Sequence, residues 1–322
     1  MSPLQSGDQL DHYRIENLAS QTAMSSVYRA TDLRNGRAVA IKVPTFEVES
    51  DPLFYDRFKR EEEIGRKLDH PRVIKGLDDE ERSRVYMVME WAEGRPLRHI
   101  LSENTKLSTE RAVRITVGIC EALEYIHRSG VVHRDLKPEN IMIDSEDRTK
   151  LFDFGIAGRV GMRRLTFGKL TREMGTPDYI SPEQVKSKRG DARSDIYALG
   201  VMLYEMLTGE VPFHGPNALA VINDRLINDP VPPRELDPAI SPQLQEIIYR
   251  ALERNPANRY ANAREFANDL NNPESVGVAE RSELQNWKSR RSSGPKAILK
   301  YVMYAMIPVI IFFLMMITAK HK

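Results

Sequence analysis

Cysteine is almost missing from this sequence. Cys120 stands alone, so no disulfide can close within the chain, and the pattern fits a reducing compartment. Net charge is nearly missing too. Lys and Arg number 47 against 46 Asp and Glu, leaving +1, and bulk charge therefore gives no attraction to nucleic acid. The opening residues MSPLQSGDQLDHYR contain no apolar run, so no secretory signal is expected there. A more local absence bears on chemistry. Leu18 to Ala30 reads LASQTAMSSVYRA, a small-residue run that leads through Val27 into a strand, with no glycine in it. Loops that lay backbone amides on phosphate usually carry glycine, because a Cβ obstructs close approach.

What is present is enough for a large folded body. A length of 322 residues, with 41% hydrophobic and 29% charged residues, is ordinary for one big domain or two lobes. Three short strands are expected around HYRIENLA, SSVYRATD and RAVAIKV, with RNG as the turn between the last two. Residues 53–68 read as a helix, and strands follow near 72–78 and 84–90. Beyond Ala92 helical patterns dominate. STERAVRITVGICEALEYIHRSG has Ser108 as N-cap and Gly130 as stop, and further helices are expected over 194–208, 241–253 and 262–270. The class is α+β: a small strand-rich lobe over about 10–91 and a larger helical lobe over about 92–271.

Two segments carry chemistry. VVHRDLKPENIMI presents Asp135, Lys137 and Asn140 on a loop between apolar stretches, and LFDFGIA brings a second acid, Asp153, before a Phe-Gly turn. Hard oxygen ligands spread over two loops suit Mg²⁺, which takes one or two carboxylates and fills the rest of its shell with phosphate oxygens and water. A free carboxylate nearby can take the proton of an attacking hydroxyl. Together they are the equipment of phosphoryl transfer. Lys42 lies in AVAIKV, where Ala40, Ile41 and Val43 are expected to line a pocket. Glu61, Glu62 and Glu63 stand together on the helix expected over 53–68. Phe54, Phe58, Ile64 and Leu68 share a stripe with Glu61, whereas Glu62 and Glu63 are expected to be solvated. A glutamate on an apolar stripe needs a cation, and Lys42 can supply it.

The whole series resembles a eukaryotic-type (Hanks-type) serine/threonine protein kinase of the sort bacteria also carry. HRDLKPEN resembles the catalytic-loop motif and DFG the metal-binding motif. AIK, GTPDYISPE, SDIYALGVMLYEMLTGEVPF and NRY follow in the family's order, and the likeness spans about residues 10–270. The resemblance implies a two-lobed kinase fold, ATP as phosphoryl donor, Mg²⁺ (or Mn²⁺) as cofactor and protein substrates. Lys42 would hold the α- and β-phosphates, with Glu61 as its helix partner. Asp135 would orient and deprotonate the substrate hydroxyl. Lys137 would stabilise the transferred phosphoryl, and Asn140 and Asp153 would hold the metal. Lys137 in its place, with Thr176 in GT, points to serine/threonine substrates. Val27, Ala40, Met89 and Met142 would wall the adenine pocket, with the backbone of Glu90 and Ala92 at the hinge. Glu183 and Arg259 would form a buried structural pair, and Asp195 would brace the catalytic loop. His133 and Phe154 read as packing residues.

The family's three loop glycines fall on Ser20, Thr22 and Ser25. Two readings follow: an active kinase with a stiffer lid, or a nucleotide-binding pseudokinase that serves as a scaffold. The otherwise complete set of Lys42, Glu61, Asp135, Asn140 and Asp153 favours the first. Between DFG and GT the chain carries Arg159, Arg163, Arg164, Lys169 and Arg172 against Glu173 alone. Such a segment repels itself until an anion arrives. Arg134 beside Asp135 makes Thr171, then Thr166, the candidate phosphosites. A homodimer would serve autophosphorylation in trans.

Residues 272–297 read as a polar, basic linker, and 298–319 as a membrane helix before the short tail 320–322. Tyr301 to Ala319 holds no charge, and at 1.5 Å per residue it spans roughly 28 Å, close to a hydrocarbon core of ~30 Å. Lys288, Arg290, Arg291, Lys296 and Lys300 precede it, which predicts a single-pass protein with its kinase domain in the cytoplasm, a bacterial inner membrane fitting best.

Overall fold

The structure is a computed structural model, and it describes residues 3–77, 82–153, 177–186 and 190–279. The first lobe is an antiparallel sheet. Its strands are β1 Gln9–Leu10, β2 Tyr13–Gln21, β3 Ser25–Asp32, β4 Ala38–Pro44, β5 Gly76–Leu77 and β6 Met87–Glu90, in the spatial order β1-β2-β3-β4-β6-β5. The RNG turn closes on Asp32, whose carbonyl accepts from Gly36 N at 2.7 Å, and Gly36 sits at φ +73° as the turn requires. The strand pair expected over 72–78 and 84–90 is shorter than the sequence implied. Residues before Gly76 tie instead to the second lobe, with Ile74 N donating to Leu151 O at 2.8 Å and Leu151 N to Arg72 O at 2.8 Å.

The period of two divides the sheet into faces. Tyr13, Ile15, Tyr28, Ala30, Val39, Ile41, Val43, Tyr86 and Val88 form one buried cluster. On the other face Val27 stands opposite Lys42, Lys42 opposite Met87, and Ala40 opposite Met89. Ile41 and Val43 therefore belong to the lobe's own core and do not line the pocket beside Lys42. Only Ala40 shares the lysine's face.

Helix α1 Phe46–Ser50 leads into α2 Pro52–Lys67, which packs on β5. The approach is close: a Cβ on Gly76 would lie 2.7 Å from the backbone carbon of Gly65. Phe58 and Leu68 are buried and Ile64 is half-buried, as the stripe predicted. The side chain of Phe54 lies outside the described set.

The second lobe begins with a small sheet of β7 Arg95–Pro96, β8 Ile141–Ile143 and β9 Thr149–Leu151. Its helices are α3 Leu97–Glu103, α4 Thr109–Arg128, α5 Pro182–Val185, α6 Ala192–Thr208, α7 Ala218–Ile227, α8 Pro233–Leu236, α9 Pro242–Ala251 and α10 Ala263–Asn271. Ser108 caps α4 as expected, accepting from Arg111 N at 3.3 Å. Ala112, Ile115, Ile119, Ala122, Leu123 and Ile126 bury one side of α4 against α6 and α10. Helix α6 is buried on every side from Ser194 to Leu207, so it is the central strut of the lobe. Among the described residues no helix is long and apolar enough to cross a membrane. The expected span 298–319 lies outside them, as do Phe154, Thr166, Thr171 and Thr176.

Candidate active site

The site lies where the inner face of the first sheet meets β8, β9 and the loops around them. Strand β4 presents Lys42 and helix α2 presents Glu61. Lys42 Nζ donates to Glu61 Oε1 and to Asp153 Oδ1, both at 2.6 Å. Burial alone would lower the lysine's pKa, but the two carboxylates outweigh it and hold the ammonium firmly charged. Burial pushes Glu61 up to about 7, with Lys42 pulling the other way. Asp153 is also drawn towards neutrality by burial, yet Lys42 holds it well below the usual carboxylate range.

Asp153 sits at φ +62° and Arg134 at φ +64°, both in the left-handed region that non-glycine residues rarely occupy. Asp195 stabilises the second of these. Its Oδ1 accepts from Arg134 N at 2.8 Å, and its Oδ2 accepts from His133 N at 2.9 Å and meets His127 Nε2 at 2.8 Å. Gln184 Nε2 adds a bond to the carbonyl of Arg134 at 2.9 Å. Leu136, buried in the main core, anchors the loop from the other side. The catalytic-loop motif is thus held in a shape that its own dihedral preferences resist.

The loop's polar side chains converge. Lys137 Nζ stands 2.9 Å from Asp135 Oδ2, and Asn140 Nδ2 donates to Asp135 O at 2.9 Å. Asn140 is buried, with its amide nitrogen turned to the loop and its Oδ1 left as the acceptor end. Phe152 N donates to Asn140 O at 3.1 Å, and His133 Nε2 reaches Phe152 O at 3.2 Å. These two bonds tie the Asp135 loop to the residue before Asp153. His133 is fully buried. Its Nδ1 accepts from Asp135 N at 3.3 Å and its Nε2 faces the Phe152 carbonyl, so both ring nitrogens are engaged within the loop.

The expected adenine walls fall around this centre. Ala40 is buried, Val27 and Met89 are half-buried on the same sheet face, and half-buried Met142 lies on β8 opposite Pro96. Glu90 closes β6 and Ala92 follows it into the connection between lobes. Among the loop residues, Ser20 and Thr22 are exposed and Ser25 is buried. None of Ser20, Thr22 and Ser25 has a positive φ. The backbone here does not need the freedom that glycine supplies.

Glu183 and Arg259 form the expected buried pair. Arg259 Nη2 is 2.7 Å from Glu183 Oε2, and Nη1 is 2.8 Å from Oε1. Glu63 is exposed as expected, but Glu62 is not. Glu62 is 7% exposed and meets Arg66 at 2.7 Å, Lys59 at 3.2 Å and Arg82. Burial was missed because Arg82 comes from outside the helix. A second network also escaped the sequence. Arg98 on α3 meets Glu139 at 3.0 Å and Glu205 at 2.8 Å, and it bonds the hydroxyl of Tyr179, which itself donates to Glu205. One signal could have found it: Glu205 is a lone acid on the otherwise apolar stretch of α6, and a buried acid requires partners.

Asp153 and Asn140 supply two hard oxygen donors of the kind Mg²⁺ accepts. Among the described residues no three His, Cys, Asp or Glu side chains gather to hold a metal on their own. The donor set thus fits an ion whose remaining ligands come from phosphate and water.

Comparison with known proteins agrees with this geometry. Residues 15–270 match the protein kinase domain family. Serine/threonine-protein kinase PknB of Mycolicibacterium smegmatis is 39% identical over 265 residues, covering 81% of this chain and 42% of that one. PknB of Mycobacterium tuberculosis is 37% identical over 300 residues, covering 89% of this chain and 48% of that one. The chain thus spans less than half the length of the curated relatives it matches. The crystal structure of the Mycobacterium tuberculosis PknI kinase domain superposes with a TM-score of 0.66 at 26% identity, covering 84% of this chain and 100% of that one. With its motifs in order, its lobes in place and most of its length matched, this chain belongs to the protein kinase family.

Proposed function

We propose that the protein is a serine/threonine kinase that moves the γ-phosphoryl group of ATP to hydroxyls on protein substrates. One observation carries the proposal: Lys42 joins Glu61 and Asp153 at 2.6 Å each, while the adjacent loop gathers Asp135, Lys137 and Asn140. The parts of a phosphoryl-transfer centre are thereby assembled from four separate segments of chain. Lys137 in the loop and the names of the relatives support the serine/threonine class.

In this reading Val27, Ala40, Met89 and Met142 enclose the adenine, and the backbone of Glu90 and Ala92 fixes its edge. Lys42, kept charged and aimed by Glu61, meets the α- and β-phosphates. Asp135 accepts the proton of the substrate hydroxyl as its oxygen attacks the γ-phosphorus, and ADP leaves with the electrons of the broken P–O bond. Lys137 balances the charge on the moving phosphoryl group. Asp153 and Asn140 would hold Mg²⁺, which when bound neutralises phosphate charge. Positioning and charge account for most of the acceleration, because phosphoryl transfer asks little covalent chemistry of the protein.

The kinase domain, residues 10–271, is proposed to sit at a membrane through 298–319 and the basic linker 272–297. Uncharged length and flanking cations support this, and removal of 298–322 should move the protein from the membrane fraction to the soluble one. The activity is tested by incubating the full chain with Mg²⁺ and γ-labelled ATP. Label should enter protein on serine or threonine and disappear in Asp135→Asn. ATP binding without transfer would overturn the reading in favour of a scaffold.

A further inference from the structure

The glycine-free loop between β2 and β3 is closed on itself. Thr22 N donates to Ser25 O at 2.9 Å. The Thr22 hydroxyl donates to the same carbonyl at 3.1 Å, and it accepts from Met24 N at 3.2 Å and Ser25 N at 3.1 Å. One donor proton and two acceptor sites are all that a hydroxyl has, so Thr22 Oγ1 is saturated. The outer side of the tip is tied down as well. Thr45 N donates to Met24 O at 2.9 Å, and its hydroxyl to Ala23 O at 3.3 Å. The loop is therefore fastened inside by Thr22 and outside by Thr45, the residue after β4.

Phosphate-covering loops work by offering backbone N–H groups to phosphate oxygens. Here two amides at the tip, Met24 N and Ser25 N, already donate to a side-chain oxygen. We infer that Thr22 is a latch: its hydroxyl occupies the place of a phosphate oxygen on these two amides, and it sets how tightly the loop holds the phosphates of a nucleotide. This rests on the nucleotide site proposed above. The latch opens when the Thr22 side chain turns away and a phosphate oxygen takes over both amides. The bonds exchanged are nearly equal, so phosphate gains little from this loop. Replacing the hydroxyl with a methyl group removes the competitor without changing shape. Because Thr22 does not adopt a positive φ, valine is tolerated there.

The test uses the full chain and three variants: Thr22→Val, which loses the hydroxyl, Thr22→Ser, which keeps it, and Thr22→Gly. Two quantities are measured: amide hydrogen exchange at Met24 and Ser25 in the free protein, and dissociation constants for Mg²⁺–ATP and for adenosine. Expected are faster exchange in Thr22→Val and Thr22→Gly, and ATP binding tighter by about three- to tenfold in Thr22→Val, the worth of one or two net hydrogen bonds. Adenosine, which has no phosphate, should bind all four proteins alike, and Thr22→Ser should follow the parent in both measurements. Unchanged exchange in Thr22→Val overturns the latch. So does unchanged or weaker ATP binding in that variant while adenosine still binds. If neither ligand binds any of the proteins, the nucleotide site itself is refuted and the inference falls with it.

Discussion

Lys42 Nζ and Glu61 Oε1 lie 2.6 Å apart, and this contact couples helix α2 to the sheet face that looks into the site. Next along the helix, Glu62 is also buried but turns to Arg82 and Arg66. The two acids should therefore fail differently. Glu61→Gln keeps the shape and loses the charge that aims Lys42. Since Lys42 retains Asp153 at 2.6 Å, the cost to folding should stay below the roughly 3–5 kcal/mol of an orphaned buried charge. Turnover should drop by about tenfold or more. Glu62→Gln should lower the melting temperature and leave the turnover of the folded fraction unchanged. Kinase assays beside thermal melts separate the two, and equal loss of turnover in both variants would refute the distinction.

Gly76 tests the same coupling from behind. A Cβ there meets Gly65 C at 2.7 Å and Arg66 N at 2.8 Å, both backbone atoms that cannot rotate aside. Gly76→Ala must push α2 off β5, carrying Glu61 with it. A destabilisation of about 1–3 kcal/mol is expected for such overpacking. Activity should fall further than the melt explains. Denaturant titration with a parallel assay checks this, and a variant that is destabilised yet fully active when folded would show that α2 does not set Glu61.

These residues also show where the sequence was readable. Short motifs named Asp135, Asn140 and Asp153 because each sits beside its neighbours in the chain. For Glu61 the resemblance called for a helix glutamate, and helical period chose it from the three in a row. Ile41 and Val43 were misplaced although the period of two, applied strictly, puts them opposite Lys42. Glu62 and Arg98 were harder to read: Lys59 and Arg66 are local to Glu62, but Arg82 reaches it from outside the helix, and the partners of Arg98 lie on distant elements, with only the lone acid Glu205 to mark them. The missing glycines leave the backbone of the loop unstrained. None of Ser20, Thr22 and Ser25 has a positive φ, so what glycine would supply there is closer approach to a phosphate and not freedom of dihedral.

Arg98 offers a prediction about substrate handling. It links α3 to Glu139 in the catalytic loop and to Glu205 and Tyr179 behind it. Arg225 holds the carbonyls of Pro177 and Asp178 at 2.6 Å each, so Tyr179 belongs to a segment fixed from two sides. Arg98→Ala releases one of them and leaves Glu205 without its cation. The KM for a protein substrate should rise about fivefold, and the KM for ATP should not move. Both are read from initial rates. A selective rise in the KM for ATP would place Arg98 in the nucleotide site.

The Glu183–Arg259 pair sets an acid limit on stability. Burial would raise the glutamate's pKa, but the two bonds from Arg259 outweigh it and hold it below the ordinary 4.5. For a carboxyl depressed in the folded state, the contribution is fully present above the unfolded value and is lost as pH falls through the folded one. Glu183→Gln should therefore be much less stable than the parent at about pH 6, and the gap should shrink towards about pH 3. Denaturant midpoints across that range decide it, and a gap independent of pH would mean that packing, not charge, holds the pair.

Activation by phosphate is the last expectation, and it rests on charge. Asp195 pins the backbone of Arg134 next to Asp135. The segment from Arg159 to Arg172 carries five basic residues, and Thr166 and Thr171 stand among them. A phosphate on Thr171 would bring close to two negative charges among these cations. Preincubation with Mg²⁺ and ATP should then speed later substrate phosphorylation by about fivefold or more, the scale of an ordinary coupling energy. The Thr166→Ala, Thr171→Ala double variant should start at the parent's initial rate and never accelerate. Phosphopeptide mapping with the time course reads both, and a variant that accelerates like the parent would move the switch elsewhere. Thr171→Ala alone should remove most of the effect, since Thr171 stands four residues before GT and Thr166 nine.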